Sequence, residues 1–450
     1  MTNFAAVRHP IFTLFLCTAF LIISCRHQPE AKHDLPGESY QSFTTDGAWC
    51  WFSDPRAIHY RGEYNRTYAG WVTSNGSIEV GSYDHDTGEI QTHILHARLE
   101  VDDHNNPAFD IDSTGRLLVF YSMHSHKVPT FLARSTNPED ITAWETSRQL
   151  ALNDSVTYQG LSNTYTYASV WRLSEENDRM FLFWRGADFK PNFSVSSDNG
   201  VGWSPGRIFI LPERLYRDRR PYFKIASDGE RTIHFAFTDG HPNREPTNSI
   251  YYAAYRDGAM YRANGEKIMD MSALPLEPRQ ADVVYDATTT EEKAWIWDVA
   301  RDKHGNPVIV YARFPSDSMH IYYYSSWHEG KWTNHELVNS GGWFPHTPEG
   351  AVERETNYSG GIVLDHTDPS VVYLSREING VFEIEKWTTP DHGKTWTTHA
   401  VTANSAHDNV RPFVIRNYDE HDSLRVLWLN VERYTHYTDY KAAVKMNVVP

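Results

Sequence analysis

From Trp49 to the C-terminus, apolar and polar residues alternate in short runs, broken by turns rich in Asp, Asn, Gly and Pro. Alternation with period two, enriched in β-branched and aromatic residues, predicts half-buried strands. The stretch Asp102 to Ser135 shows the layout plainly. AFDID and RLLVFY flank the turn DSTG (Asp112 to Gly115), and TFLARS follows. The layout recurs in seven units of roughly 50–60 residues, a spacing typical of propeller blades. They open near Trp49, Asp102, Tyr165, Arg220, Ala294, Asn357 and Asn409. Helical periodicity is almost absent. The pattern predicts an all-β chain: a seven-bladed β-propeller of four-stranded antiparallel blades, with a pair of β-sandwiches as the alternative. Two units add SSDNGVGW (Ser196 to Trp203) and TPDHGKTW (Thr389 to Trp396), which look like Asp-box turns between outer blade strands. In such a turn the Asp caps, the Gly takes a positive φ and the Trp packs between blades, so these motifs are structural.

The one long apolar run, Ile11 to Ser24, follows Arg8 and precedes Cys25. It is short for a bilayer span and fits a signal-peptide core. LIISC resembles a bacterial lipobox, which implies cleavage before Cys25 and lipidation there. The expected organisation is a leader at 1–24, a polar tether at 25–43 and the propeller at 44–450. The expected location is the bacterial envelope, at the outer membrane or cell surface, with the membrane touched only through Cys25. Once Cys17 leaves with the leader and Cys25 carries lipid, Cys50 stands alone, so no disulfide framework is expected.

Aromatic residues make up 14% of the chain, which fits a globular chain with a substantial core, and the net charge is −16. An acidic body argues against nucleic acid, which requires a basic footprint. A small anionic ligand stays open if basic residues converge locally.

In an antiparallel hairpin, residues equidistant from the turn are cross-strand neighbours. Applied to each unit, this rule reads one face of the disc. His104 falls opposite His124, with Asn105 and His126 beside them. Tyr167, or Tyr165, falls opposite Arg185. Arg220 and Tyr222 join Asp239 and His241. Trp297 and Asp298 lie near Arg313, Ser359 opposite Arg376, Arg411 near Asn430 and Glu432, and Asp54 and Arg56 near Thr73 to Asn75. Several arginines, histidines and tyrosines on one face of an acidic protein suggest an anion site. Arg56 and Arg411 are expected to close the channel by pairing with carboxylates, whereas Arg185 faces Tyr and His. His59, His234, His320, His335 and His346 lack such a context and are expected to be structural. No spacing is diagnostic of a metal site and no phosphate loop or nucleophile elbow is present, so no catalytic metal or cofactor is expected; a structural ion is left open.

WFSDPRAIHY, DDHNNPAF followed by FYSMHSH, FLFWRG, FTDGHP and the Asp boxes together resemble the BNR-repeat seven-bladed propellers that include ulvan lyases. The resemblance covers most of the chain beyond the leader. It implies a polysaccharide lyase that cleaves a uronate-containing, sulfated rhamnose–glucuronate polymer by β-elimination. It assigns His104, His124, Arg185 and a tyrosine, Tyr167 before Tyr165, to catalysis. His104 would take the C5 proton, Arg185 with His124 would neutralise the uronate carboxylate, and Tyr167 would protonate the leaving oxygen, although a tyrosine could play both parts. Asn105, Tyr222, His241, Arg313 and Arg376 would bind flanking sugars. Some relatives hold a structural zinc through cysteines, which Cys50 alone cannot supply. The alternatives are a glycoside hydrolase of the same fold releasing rhamnose from glucuronate, and a non-catalytic glycan-binding propeller. A monomer is expected.

Overall fold

The structure, a computed structural model, describes residues 1–2, 34–152, 164–212, 219–316, 318–344 and 357–450. The leader, Cys25, most of the tether and His346 lie outside the described residues. The chain from Ala57 onward forms seven antiparallel sheets in sequence order. Blade one begins with Ala57–Arg61, blade two with Ala108–Ile111, blade three with Ser169–Leu173 and blade four with Phe223–Ser227. Lys293–Arg301, Ile362–Leu364 and Asp408–Val414 open blades five, six and seven. First strands of neighbouring blades contact one another from blade one to three and from blade four to seven, as an inner wall requires. Seven separate sheets rule out the pair of sandwiches and give the propeller.

Two features depart from the expected blade plan. Blade four carries two further strands, Lys267–Asp270 and Asp282–Tyr285, and so has six. Blade seven takes its outermost strand, Ser42–Thr44, from the start of the described chain, paired with Asp439–Met446. The propeller therefore begins before residue 44: Tyr40 and Phe43 are both 2% exposed. Tyr40 donates to the Val401 carbonyl at 2.6 Å and packs edge-on against Trp428. The end of the expected tether is the closing strand. Pairing the first strand with the last blade ties the ring and removes an open sheet edge.

The Asp boxes sit between the third and fourth strands of blades three and six. Asp198 Oδ1 accepts from the Gly202 amide at 2.7 Å, and Trp203 Nε1 donates to the Gly200 carbonyl at 3.1 Å. Asp391 and Trp396 repeat this with the Thr395 amide and the Gly393 carbonyl. Gly200 and Gly393 have φ of 78° and 95°, a region glycine enters without steric cost.

The axis of the disc is filled rather than open. Asp54 pairs with Arg56 and Lys224, while Asp298 binds His366 at 3.0 Å and lies 3.7 Å from Arg416, all buried or nearly so. Each buried charge thus faces an opposite one, as it must to offset its desolvation. Above this network lies an aromatic plug. Trp51 stacks on Trp297 at 4.2 Å, and Phe52 packs against Tyr167 and Tyr222. The plug forms the floor of one face.

Candidate active site

The hairpin of blade two pairs Ala108 with Phe120 and Ile111 with Leu117. Carried four residues past the strand ends, that register brings His104 opposite His124. The two imidazoles stack with centroids 4.1 Å apart and planes 13° from parallel. What holds them is Asp102, a residue that sequence reasoning passed over. Its carboxylate caps the short 3₁₀ turn Asp103–Asn105 by accepting from the His104 amide at 2.9 Å. The same oxygen meets His104 Nδ1 at 2.6 Å, and the other meets His124 Nδ1 at 2.8 Å. The signal was present in DDHNNP as an acid two residues before a histidine, but that spacing is common in turns and carries no diagnosis.

Burial would raise the Asp102 pKa, but the adjoining imidazoles outweigh it and hold the carboxylate well below its usual range. Burial, then His104, pushes His124 down to about 3. With Asp102 taking the Nδ1 proton of each neutral ring, both Nε2 atoms present lone pairs. His104 Nδ1 also lies 3.2 Å from Asp103 Oδ1. Two carboxylates therefore lie within reach of His104 Nδ1 and one within reach of His124 Nδ1.

Blade three supplies the partner pair. Its register, Ser169 with Phe183, continues to Tyr167 opposite Arg185. The Arg185 guanidinium lies 4.6 Å from the Tyr167 ring centroid. Tyr167 sits at φ 60°, a region that costs a non-glycine residue roughly 1–2 kcal/mol. The turn is fixed by the buried Thr166, whose carbonyl accepts from the Arg185 amide at 2.7 Å and whose hydroxyl accepts from the Ser125 amide at 2.8 Å. Tyr165, the alternative tyrosine, is instead a core residue, 1% exposed and stacked on Trp184. The Tyr167 ring is 5.5 Å from His104 and 6.3 Å from His124. Burial pushes its phenol well above the usual value, against the opposing Arg185 charge.

Arg185 is 3% exposed, yet its side chain bonds no carboxylate among the described residues. Nη1 donates to Tyr222 Oη at 2.9 Å and reaches Tyr167 Oη at 3.4 Å; Nη2 donates to Ser125 Oγ at 2.8 Å; Nε is buried with no partner. A buried cation held by hydroxyls and the faces of Tyr167, Phe189 and Tyr222, without a carboxylate among the described residues, leaves part of its desolvation cost unmet. It borders a shallow recess lined by Phe52, Tyr167, Arg185, Pro221, Tyr222 and Phe223.

His241 extends the wall, its ring 4.6 Å from Trp295 and 5.4 Å from Tyr222. Burial, then Arg185, Arg244 and Arg220, pushes it down to about 3. Arg220 stacks on Phe189 at 3.8 Å. Arg244, in HPNREP, and Ser125 were not anticipated from the sequence.

The other expected residues are placed differently. Asn105 is fully buried and donates to Glu100 at 2.9 Å, behind the histidines rather than in the recess. Glu100 also accepts from the His124 amide and from His126. A bulge at Trp297 shifts blade five, so Arg313 registers with Ala294; it pairs with Glu292 and lies 4.5 Å from the Tyr285 and Tyr323 rings. In blade six Ile362 pairs with Leu374, a register that puts Gly360 rather than Ser359 opposite Arg376. One residue of slip turns a side chain to the other face, and Arg376 is bound through two nitrogens to Glu385. Neither arginine joins the lining of the recess. Arg56 and Arg411 each pair with a carboxylate, Arg56 with Asp54 and Arg411 with Asp103.

No curated protein sequence matches this chain. Among solved structures it is similar to an ulvan lyase of a new polysaccharide lyase family, PL25, bound to -[GlcA(1-4)Rha3S]-, with a TM-score of 0.68 at 17% identity over 90% of this chain and 94% of that one. It is also similar to the polysaccharide lyase Uly1, with a TM-score of 0.53 at 12% identity over 90% of this chain and 97% of that one. At such identities the likeness is one of fold. The sequence profile of the BNR repeat-containing family matches residues 66–340, more than half of the chain, and the protein belongs to that family.

Proposed function

We propose that the protein is a polysaccharide lyase cleaving a sulfated rhamnose–glucuronate polymer of the ulvan kind by β-elimination. The observation that carries this reading is Arg185: a buried guanidinium without a carboxylate, at a recess beside a carboxylate-anchored histidine pair. A uronate carboxylate is the charge that such a site lacks. Its pairing with Arg185 would acidify the C5 proton by stabilising the carbanion-like transition state.

His104 Nε2 takes the C5 proton, and the resulting imidazolium is stabilised by Asp102 and Asp103. The C4–O4 bond then breaks, its electrons passing to the departing oxygen, and the C5 electron pair forms the C4–C5 double bond. Tyr167, whose raised pKa keeps the phenol protonated, donates to O4. His124 stays neutral near pH 7 and positions His104 by stacking and by sharing Asp102. Tyr222 and His241 line the sugar subsites, and Arg220 and Arg244 meet flanking sulfate or carboxylate groups. A hydrolase would need two carboxyl groups across the scissile bond; the nearest carboxylate here, Asp102, is already committed to His104 and His124, which supports elimination. The PL25 ulvan lyase, bound to -[GlcA(1-4)Rha3S]-, supports the substrate class through its fold. The leader adds an address: an envelope lipoprotein held through Cys25, which labelling with a fatty acid and a Cys25→Ala control would test.

The test of carboxylate recognition compares ulvan with the same polymer after its uronates are reduced to neutral sugars. Cleavage of the native polymer alone supports the reading. Equal cleavage of both contradicts it.

A further inference from the structure

At the opposite end of blade one, away from the His104–His124 mouth, a second cluster of ligating groups converges on the seam with blade seven. His59 lies on the inner strand Ala57–Arg61, His85 follows the third strand Ile78–Asp84, and Asp422 comes from the turn after the inner strand of blade seven. The side chains of His59 and His85 are each 4% exposed and that of Asp422 is 12% exposed. Asp422 Oδ2 is 3.3 Å from His59 Nε2 and 3.6 Å from His85 Nδ1, and it accepts no hydrogen bond although it is buried. The three ligand atoms lie within 4.8 Å of one another.

We propose that His59 Nε2, His85 Nδ1 and Asp422 Oδ2 form a binding site for one zinc-class divalent cation that clips blade seven to blade one. The spacing suits a tetrahedral ion: ligand atoms at about 2.0–2.1 Å from zinc stand roughly 3.3–3.4 Å apart. Each ring also has its other nitrogen held by an oxygen, as metal-binding imidazoles do. His59 Nδ1 lies 3.0 Å from the Asn417 carbonyl, and His85 Nε2 lies 2.9 Å from Thr67 Oγ1.

The tautomers give the second argument. The Asn417 carbonyl can only accept, so it takes the His59 Nδ1 proton and leaves Nε2 as a lone pair. That lone pair faces Asn65 Oδ1 at 2.6 Å and Asp422 Oδ2 at 3.3 Å. The orientation of Asn65 is set by its Nδ2, which donates to Asp422 Oδ1 at 3.2 Å. Three electron-rich atoms turned toward each other call for a positive charge among them, and at 2.6 Å from His59 Nε2 Asn65 Oδ1 would have to swing aside for a metal ion to take that lone pair. Arg61 is 3.8 Å from Asp422 Oδ2, but it is half exposed and its closer partner is Asp419 at 2.9 Å. The competing occupant is a second proton on His59.

The seam is where the ring closes. Blade one and blade seven are otherwise joined there by the His59 amide to the Arg416 carbonyl at 2.8 Å and by the Arg416 amide to the Ala57 carbonyl at 3.1 Å. A cation that binds only the closed ring raises stability by mass action.

The experiment uses the whole chain, stripped with a chelator and dialysed against zinc chloride or magnesium chloride. The proposal expects one zinc retained per chain, a thermal midpoint several degrees higher with zinc and no shift with magnesium. His85→Ala and Asp422→Asn should lose both effects while still cleaving polymer. His104→Ala should keep them, which separates this site from the Asp102–His104–His124 cluster. Cobalt(II) in place of zinc should give the visible absorption of a tetrahedral ion in the unsubstituted chain and not in Asp422→Asn. An unsubstituted chain that retains no zinc, or one whose bound zinc survives His85→Ala and Asp422→Asn unchanged, overturns the proposal. If the second proton holds the cluster instead, zinc leaves the midpoint unmoved.

Discussion

Four side chains, His104, His124, Tyr167 and Arg185, would divide the work of the proposed elimination. Tyr167 keeps its proton because it is buried, and Asp102 keeps its charge because two imidazoles face it. Tyr167→Phe removes the acid and leaves the ring packed on Phe52, so kcat should fall by roughly 10²–10⁴-fold with KM nearly unchanged. Asp102→Asn should lower kcat by a similar order and move the acid limb of the pH–rate profile, since the imidazolium would lose its counter-charge. Steady-state kinetics on one polymer checks both; either variant retaining full kcat contradicts the assignment. The pairing of His104 with His124 and of Tyr167 with Arg185 was legible in the sequence, because antiparallel register is a constant sum of residue numbers about the turn. Asp102 was not legible. Its role comes from a 3₁₀ turn that folds the side chain back under both rings, and alternation carries no trace of such a turn.

At the scale of elements, the repeat announced seven blades, and their strands follow from period-two alternation and turn chemistry. The sequence rule failed where strands are irregular. The bulges at Trp297 and between Val410 and Phe413 insert residues that break the constant sum; in blade six the strands are regular, but the turn between the paired Leu364 and Val372 is centred half a residue later than the pairing of Ser359 with Arg376 assumes. Closure was hidden for another reason: Ser42–Thr44 pairs with a strand some 400 positions away, and three residues show no periodicity. That strand should nonetheless matter. Removing residues 1–46 exposes the edge of Asp439–Met446 and strips Tyr40 and Phe43 from the core, worth about 1.5–3 kcal/mol each. Urea unfolding should show a lower midpoint and the shortened chain should self-associate. A midpoint equal to that of the full chain would mean that the ring closes without this strand.

For the whole molecule, charge and burial set a direction for acid stability. His124 and His241 are held neutral with pKa values pushed to about 3, and His234 to about 4, against an ordinary 6.5. The unfolded chain therefore binds these three protons at a higher pH than the folded one does. Folding gains their full contribution above about pH 6.5 and loses it progressively as pH falls toward about 4 to 3. Asp102, a carboxylate held low in the fold, acts in the same direction below its ordinary value of 3.8. Unfolding midpoints measured from about pH 7 down to about pH 4 should fall steadily; a flat or rising trend would show that these rings are solvated and charged in the fold. The same contrast organises function. The axis is neutralised by paired charges around Asp54 and Asp298, while Arg185 bonds only hydroxyls among the described residues, and the proposed anion site rests on that asymmetry.

Elimination and hydrolysis leave different ends on the product, and those ends distinguish them. Ulvan incubated with the protein should release fragments that end in an unsaturated uronate, seen as rising ultraviolet absorbance in step with new reducing ends, and Tyr167→Phe should abolish both. New reducing ends without that absorbance would mean hydrolysis and would contradict the roles given to His104, Tyr167 and Arg185.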